Sequence, residues 1–248
     1  FIQATRNEWE TTVLFTKICC LNKTVPAPLD ARHMMSLRQP IFSMRHQEEA
    51  VEFYRELLAE TEERARDGVS ARGFELARLS FEPGVPFFFP NLYRFPERYG
   101  AITVVCEEYA AGAFTAWNVT PDGEWTAATP PWERGNPMRT REDAVWAQVD
   151  LGLTYHRTHN IYKVDTHIPD PLTRAKDWKV NGVVFHIIRG CRAIDSHVAE
   201  AKLLVDHAGI PNTIYEGSHA DPRDFDEVQV LDRLDAFLEG MGLTKMDE

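Results

Sequence analysis

The chain has 248 residues, of which 44% are hydrophobic and 26% charged, and its formal net charge is −11 at pH 7. This length is enough for one large or two small domains with a substantial core. A strongly acidic chain without a basic stripe is not expected to bind nucleic acid. No apolar run approaches the length of a membrane span, and no signal peptide is visible, so we expect a cytoplasmic protein.

The first 72 residues have a helical pattern throughout, and residues 73–248 alternate between strands and helices. Apolar spacing predicts helices in the first part over residues 4–24, 30–37 and 47–67. The strands predicted in the second part are residues 75–81, 101–106, 183–188 and 212–216. The helices predicted there are residues 94–99 (a short helix or turn), 140–151, 170–181, 195–207 and 225–239.

This order of elements predicts an α/β fold in which a helical lead-in, residues 1–72, precedes an open, mostly parallel sheet covered by helices, residues 73–248. Residues 118–140, which include four prolines, are predicted as one long loop of the kind that forms lids or interfaces. The chain starts at Phe1 without an initiator Met, and we expect an N-terminal portion to be missing.

One cysteine has a position typical of a functional site. The apolar strand over residues 183–188 runs into Arg189, Gly190, Cys191 and Arg192. Loops at the carboxyl ends of parallel strands bind ligands, and flanking arginines favour a thiolate, so Cys191 is placed to ligate a metal or to react. The alternative is an inert, half-buried cysteine.

The other cysteines form neither a disulfide framework nor a CxxC pair. Cys19 and Cys20 are adjacent in a helical pattern and are expected to pack in the core. Cys106 ends the second predicted strand, at the same edge as Cys191.

A histidine-bearing segment could add ligands at this edge. It contains His156 and His159, followed by Asp165 and His167. Three histidines, a carboxylate and a thiol could hold a metal, including a single zinc ion, although HxxH is a common chance match. A solvated loop is the alternative. His197 and Glu200 are interpreted as a surface pair one helical turn apart.

The last 70 residues carry a set of motifs in a characteristic order. These are residues 180–185, Cys191, residues 209–211, Glu216, residues 221–223 and residues 228–239. With residues 49–58 upstream, they resemble the 2-hydroxyacyl-CoA dehydratase and benzoyl-CoA reductase superfamily, most of all the B component of the ATP-dependent (class I) benzoyl-CoA reductases.

The resemblance implies a flavodoxin-like domain within a heteromeric, oxygen-sensitive complex. A homologous sister subunit and an ATPase pair that injects electrons would be the partners. An acyl-CoA would be the substrate, and the reaction would reduce the aromatic ring of benzoyl-CoA to a dienoyl-CoA. A 2-hydroxyacyl-CoA dehydratase subunit and a cluster-free structural subunit remain the alternatives.

The resemblance also implies site residues. Cys191 matches one of three cysteine ligands of a [4Fe–4S] cluster, with Arg189 beside it, whereas the middle ligand position is occupied by His156. Either His156 ligates an iron, or the cluster is held mainly by a missing domain or a sister subunit, or it is absent. His156 or His159 would donate a proton to the substrate, and Trp125 and Trp132 would line a pocket for its flat ring.

Overall fold

The computed structural model describes residues 1–107, 114–158, 168–191 and 196–246, with residues 155–158 described by their backbone alone. Its α-helices are α1 (Ile2–Leu21), α2 (Ala31–Leu37), α3 (Gln39–Ser43), α4 (Glu48–Arg66), α5 (Arg141–Thr158), α6 (Asp170–Asp177), α7 (Val198–His207) and α8 (Glu227–Gly240). Short 3-10 helices span Pro90–Tyr99, Pro131–Arg134 and Pro222–Asp224. No helix in these ranges is both long enough and apolar enough to cross a membrane.

The central sheet is parallel and contains four of the strands. These are β1 (Ala77–Glu82), β2 (Ala101–Cys106), β5 (Gly182–Ile188) and β6 (Asn212–Gly217), in the order β2-β1-β5-β6. If the four parallel strands are numbered by themselves in chain order, the order in the sheet is 2-1-3-4. Flavodoxin-like sheets begin with the same order. The predicted α/β fold with a mostly parallel sheet covered by helices is therefore confirmed.

The strand predictions agree with the structure because each strand is a short, nearly continuous apolar run. Every residue of β1 and β2 is buried, and only one residue of β5 is partly exposed. Strands that are buried on both faces read in this way in a sequence. The register places Leu79 opposite Gly182, where an added Cβ would meet Met241 and Phe237 of the C-terminal region at under 3.0 Å.

The prediction of a single loop over residues 118–140 is wrong. The strands β3 (Trp117–Val119) and β4 (Trp125–Ala127) form an antiparallel hairpin in this region. A 3-10 helix over Pro131–Arg134 follows. These strands are too short to show an alternation of apolar and polar residues, and the prolines around them are typical of loops.

The hydrophobic core extends from the N-terminal helices into the sheet. Phe15 and Ile18 of α1 belong to the same buried cluster as Phe81, Val104 and Val184 of the sheet. Tyr54 of α4 packs edge-on against Phe15, with ring centroids 5.6 Å apart. The N-terminal helices therefore share one core with the sheet, and α4 joins it by packing on α1.

Candidate functional site at the carboxyl edge of the sheet

The four parallel strands end at one edge, and polar residues follow each of them. Glu82 ends β1, Glu107 follows β2, Cys191 follows β5, and His219 follows β6. In open α/β sheets, ligands bind outside the carboxyl ends of the strands where the strand order reverses. That point lies here between β1 and β5, so Glu82 and the turn that carries Cys191 border it.

Cys191 sits in a tight turn directly after β5. Gly190 has a left-handed φ of +84°, and the backbone N–H of Cys191 donates to the carbonyl of Ile188 at 3.1 Å. Its side chain is half-buried and forms no disulfide. The turn thus presents a partly accessible thiol at the edge, while Arg192 lies outside the described residues.

Arg189 points along the edge toward carboxylates. Its guanidinium donates to Glu216 at 2.9 Å and also pairs with Asp224. These ion pairs raise the pKa of Arg189 through the hydrogen bond to Glu216 and the charge of Asp224. Half of the side chain is exposed, and it ties β5 to β6 and to the turn beyond it. A cofactor role for Arg189 stays a prediction.

The predicted histidine ligands fall at the limit of the description. His156 lies in the last turn of α5, of which the backbone alone is described. His159, Asp165 and His167 lie outside the described residues. The catalytic and metal-binding roles predicted for His156 and His159 therefore stay predictions.

The two tryptophans predicted to hold a flat ring have different surroundings. Trp125 of β4 is completely buried, in an edge-on cluster with Trp117 and Trp178 at centroid distances of 5.6 and 6.5 Å. Trp132 is partly buried, with the guanidinium of Arg6 5.4 Å from its ring centroid. A substrate role for either ring stays a prediction.

A cavity of about 740 Å³ does lie beside the hairpin. Trp117, Thr120 and Arg134 line one side, and Asp170 and Thr173 of α6 line the other. Thr173 also accepts the indole N–H of Trp125 at 3.1 Å, so the tryptophan cluster supports the wall of this cavity from behind.

A buried ion pair lies beneath the edge, and sequence reasoning missed it. Arg174 of α6 donates to both carboxylate oxygens of Glu82, at 2.6 and 3.2 Å, and Ser80 donates to the same carboxylate at 2.5 Å. Burial raises the pKa of Glu82, and Arg174 opposes that rise. Burial alone would lower the pKa of Arg174, but the charge of Glu82 raises it.

A recess of about 10 Å³, which is no more room than one water molecule needs, lies beside this ion pair. Glu82, Glu107, Ser196 and His197 supply its polar groups, and Phe185 belongs to its apolar wall. His197 adopts a left-handed φ of +69° directly before α7, which brings it into the recess lining. His197 is thus the N-cap of α7 as well as part of the recess, and the interpretation of His197 and Glu200 as a surface pair stays a prediction.

The four cysteines do not fit a cluster held by this chain's thiolates alone. Cys19 is fully buried, and burial raises its pKa far above the usual value and that of Cys20 to about 11. Cys106 is buried and accepts the hydroxyl of Tyr93 at 3.2 Å. Only Cys191 is open at the edge, and in the described ranges no three His, Cys, Asp or Glu side chains group as metal ligands.

Comparison with known proteins identifies the family. The family model of the 2-hydroxyglutaryl-CoA dehydratase D-component matches residues 1–241. The chain belongs to this family. The resemblance to the 2-hydroxyacyl-CoA dehydratase superfamily is thereby confirmed.

One characterised relative matches the chain along almost all of its length. The alpha subunit of (R)-2-hydroxyglutaryl-CoA dehydratase from Acidaminococcus fermentans is 24% identical over 245 residues, which are 97% of this chain. The same alignment covers 45% of the relative. The chain thus spans about half the length of this relative.

Proposed function

We propose that this chain is part of a subunit of a 2-hydroxyacyl-CoA dehydratase complex, whose substrate binds at the carboxyl edge of the sheet. The match over residues 1–241 to the dehydratase D-component family supports the reaction class. The structural observation that carries the location is the half-buried thiol of Cys191 in the turn after β5, beside the point where strand order reverses.

The chemistry of the edge suits elimination of water. Dehydration of a 2-hydroxyacyl thioester removes the hydroxyl group from C2 and a proton from C3, so it needs one group that donates a proton and one that accepts it. Glu107 and His197 line the same recess and are of the residue types that transfer protons. The Glu82–Arg174 pair lies under them and fixes the wall of the recess.

The partners belong to the same proposal. The C3 proton of such a thioester is barely acidic, so the reaction needs an electron that is returned at its end. An ATP-driven activator would supply this electron, and an iron–sulfur cluster would receive it. Because this chain offers one accessible thiol at the carboxyl edge, the remaining cluster ligands would come from a sister subunit or from further residues of the subunit.

A second candidate is the reduction of an aromatic acyl-CoA such as benzoyl-CoA to a dienoyl-CoA. It is favoured by the cavity of about 740 Å³ beside the hairpin, whose lining includes Trp117. An aromatic wall suits a flat ring. A dehydratase whose acyl group is apolar would place that group against the same aromatic wall, so the cavity suits both reactions.

The test is a product assay on the assembled complex under anoxic conditions, with ATP and a strong reductant. We expect a 2-hydroxyacyl-CoA to lose water and form an enoyl-CoA, with no net consumption of reductant. Stoichiometric formation of dienoyl-CoA from benzoyl-CoA would instead establish the reductase. Neither product, together with an absence of iron in the complex, would contradict both and leave a structural role.

A further inference from the structure

A second cavity lies at the carboxyl edge, away from the recess. Its volume is about 350 Å³, at the small end of the range for ligand pockets. One side is formed by residues of α2 and α3, namely Arg32, Ser36 and Gln39, together with Arg38 between the two helices. The other side is the segment after β1, Val85 to Phe87, with Pro90.

The charge around this cavity is opposite to that of the chain as a whole. Residues 31–46 contain three arginines, two histidines and no Asp or Glu, in a chain whose formal net charge is −11. The Arg32 guanidinium donates to the Ser36 hydroxyl at 2.6 Å and pairs with no carboxylate of the described ranges. Arg38 lines the same cavity and stacks over Phe42, 5.0 Å from its ring centroid. Arg32 therefore presents positive charge to an anion in this cavity.

An aromatic ring completes the wall. Phe87 is 61% exposed, although it is anchored on one side. His219 stacks on it with centroids 3.9 Å apart at an angle of 23°, and the Phe87 backbone N–H donates to the His219 carbonyl at 2.9 Å. A ring that is held on one face and open on the other is a platform on which a base can stack.

We propose that this cavity binds the phosphorylated adenosine end of the acyl-CoA substrate. The inference rests on the proposed function, because it assigns one end of that substrate to a separate part of the same edge. Guanidinium groups form charge-assisted hydrogen bonds with phosphate oxygens, which Arg32 is placed to provide. Phe87 stacks on adenine. The segment after β1 joins this cavity to Glu82, so the rest of the substrate would extend along the carboxyl edge of the sheet.

Binding of free coenzyme A and of adenosine 3′,5′-bisphosphate, measured by titration calorimetry with the full chain, tests the proposal. We expect Arg32→Gln to weaken both affinities about tenfold or more, which is the usual effect of losing one charge-assisted hydrogen bond. Phe87→Ala should weaken both affinities as well, whereas adenosine alone should respond to Phe87→Ala and not to Arg32→Gln.

Arg66→Gln is the matched control, because Arg66 is 70% exposed at the end of α4 and does not line the cavity. Equal affinities of Arg32→Gln and Arg66→Gln for coenzyme A would overturn the proposal. A second result would also overturn it. If Arg32→Gln weakens the binding of inorganic pyrophosphate as much as that of the nucleotide, and Phe87→Ala changes neither affinity, the cavity is a general anion site.

The failure of this inference and of the proposed function can be told apart. If the complex dehydrates a 2-hydroxyacyl-CoA and neither Arg32→Gln nor Phe87→Ala changes the rate, the inference is overturned and the proposed function stands. Coenzyme A binding that depends on both residues, in a complex that forms no enoyl-CoA, supports the cavity and overturns the function.

Discussion

Arg174 of α6 donates hydrogen bonds to both carboxylate oxygens of Glu82 at the end of β1. The side chains of this ion pair are 1% and 2% exposed. Removing two charges from water costs several kcal/mol for each, which their mutual attraction offsets only when the geometry of the pair is good. The pair joins the first strand of the sheet to the helix that lies between the recess and the hairpin cavity. It therefore sets the position of both cavities.

Breaking this ion pair should be costly. Arg174→Ala leaves the buried Glu82 carboxylate without its guanidinium partner, which typically lowers the free energy of unfolding by about 3–5 kcal/mol. Glu82→Ala should cost less, because Arg174 keeps the carboxylate of Asp170 at 4.0 Å. Urea unfolding followed by circular dichroism measures both losses. The double variant Glu82→Ala with Arg174→Ala should be less destabilised than the sum of the single variants, because it removes both charges. Arg66→Ala, as an exposed control, should change the free energy by less than about 0.5 kcal/mol. Additive effects would show that the pair is not coupled.

The cysteines should differ sharply in reactivity. Iodoacetamide at pH 8 should alkylate Cys191 first in the native protein, because its side chain is partly accessible. Cys19 and Cys106 should be protected, and Cys20 should react slowly because burial raises its pKa to about 11. Peptide mass spectrometry after timed quenching measures the order. In urea all four should react at similar rates, and native labelling of Cys106 as fast as that of Cys191 would contradict the buried placement of β2.

Asp235 should contribute to acid sensitivity. Burial would raise the pKa of Asp235, but hydrogen bonds from Lys245 at 2.8 Å and Tyr99 at 2.6 Å outweigh burial and hold this pKa below its usual value. A carboxyl whose pKa is lower in the folded state stabilises the protein above its unfolded pKa, and this contribution is lost as pH falls through the folded value. Unfolding titrations between about pH 5 and pH 2 should show a shallower acid slope for Asp235→Asn than for Asp232→Asn on the same helix. Equal slopes would exclude the effect.

Much of the fold could be predicted because its signals are local. The cap of α2 is an example, since Asp30 was expected to start that helix and its side chain accepts the backbone N–H of His33 at 2.8 Å. The four parallel strands were found because buried strands are short apolar runs. The hairpin was missed because three-residue strands carry no period, and because Trp178, whose ring packs against both of its tryptophans, is distant in sequence.

The candidate site could be predicted only in part. Its location followed from Cys191, because a glycine turn after an apolar strand is visible in the sequence. The Glu82–Arg174 pair could not be predicted, because 92 residues separate its members and nothing in the local sequence indicates that Arg174 is buried. A glutamate that ends a strand directly before Pro83 was the one available signal. His197 entered the site through a backbone conformation that no periodicity reveals.

The rate of enoyl-CoA formation from a 2-hydroxyacyl-CoA by the assembled complex, comparing Cys191→Ser with Cys20→Ser under anoxic conditions, tests the central claim most directly. Cys191→Ser should lower the rate by more than about 100-fold, since even residues one step removed from a metal ligand cost about 10- to 100-fold when changed. Cys20→Ser, a change on α1 away from the edge, should keep the wild-type rate. Equal rates for the two variants would contradict the account, because the thiol after β5 would then take no part in the chemistry.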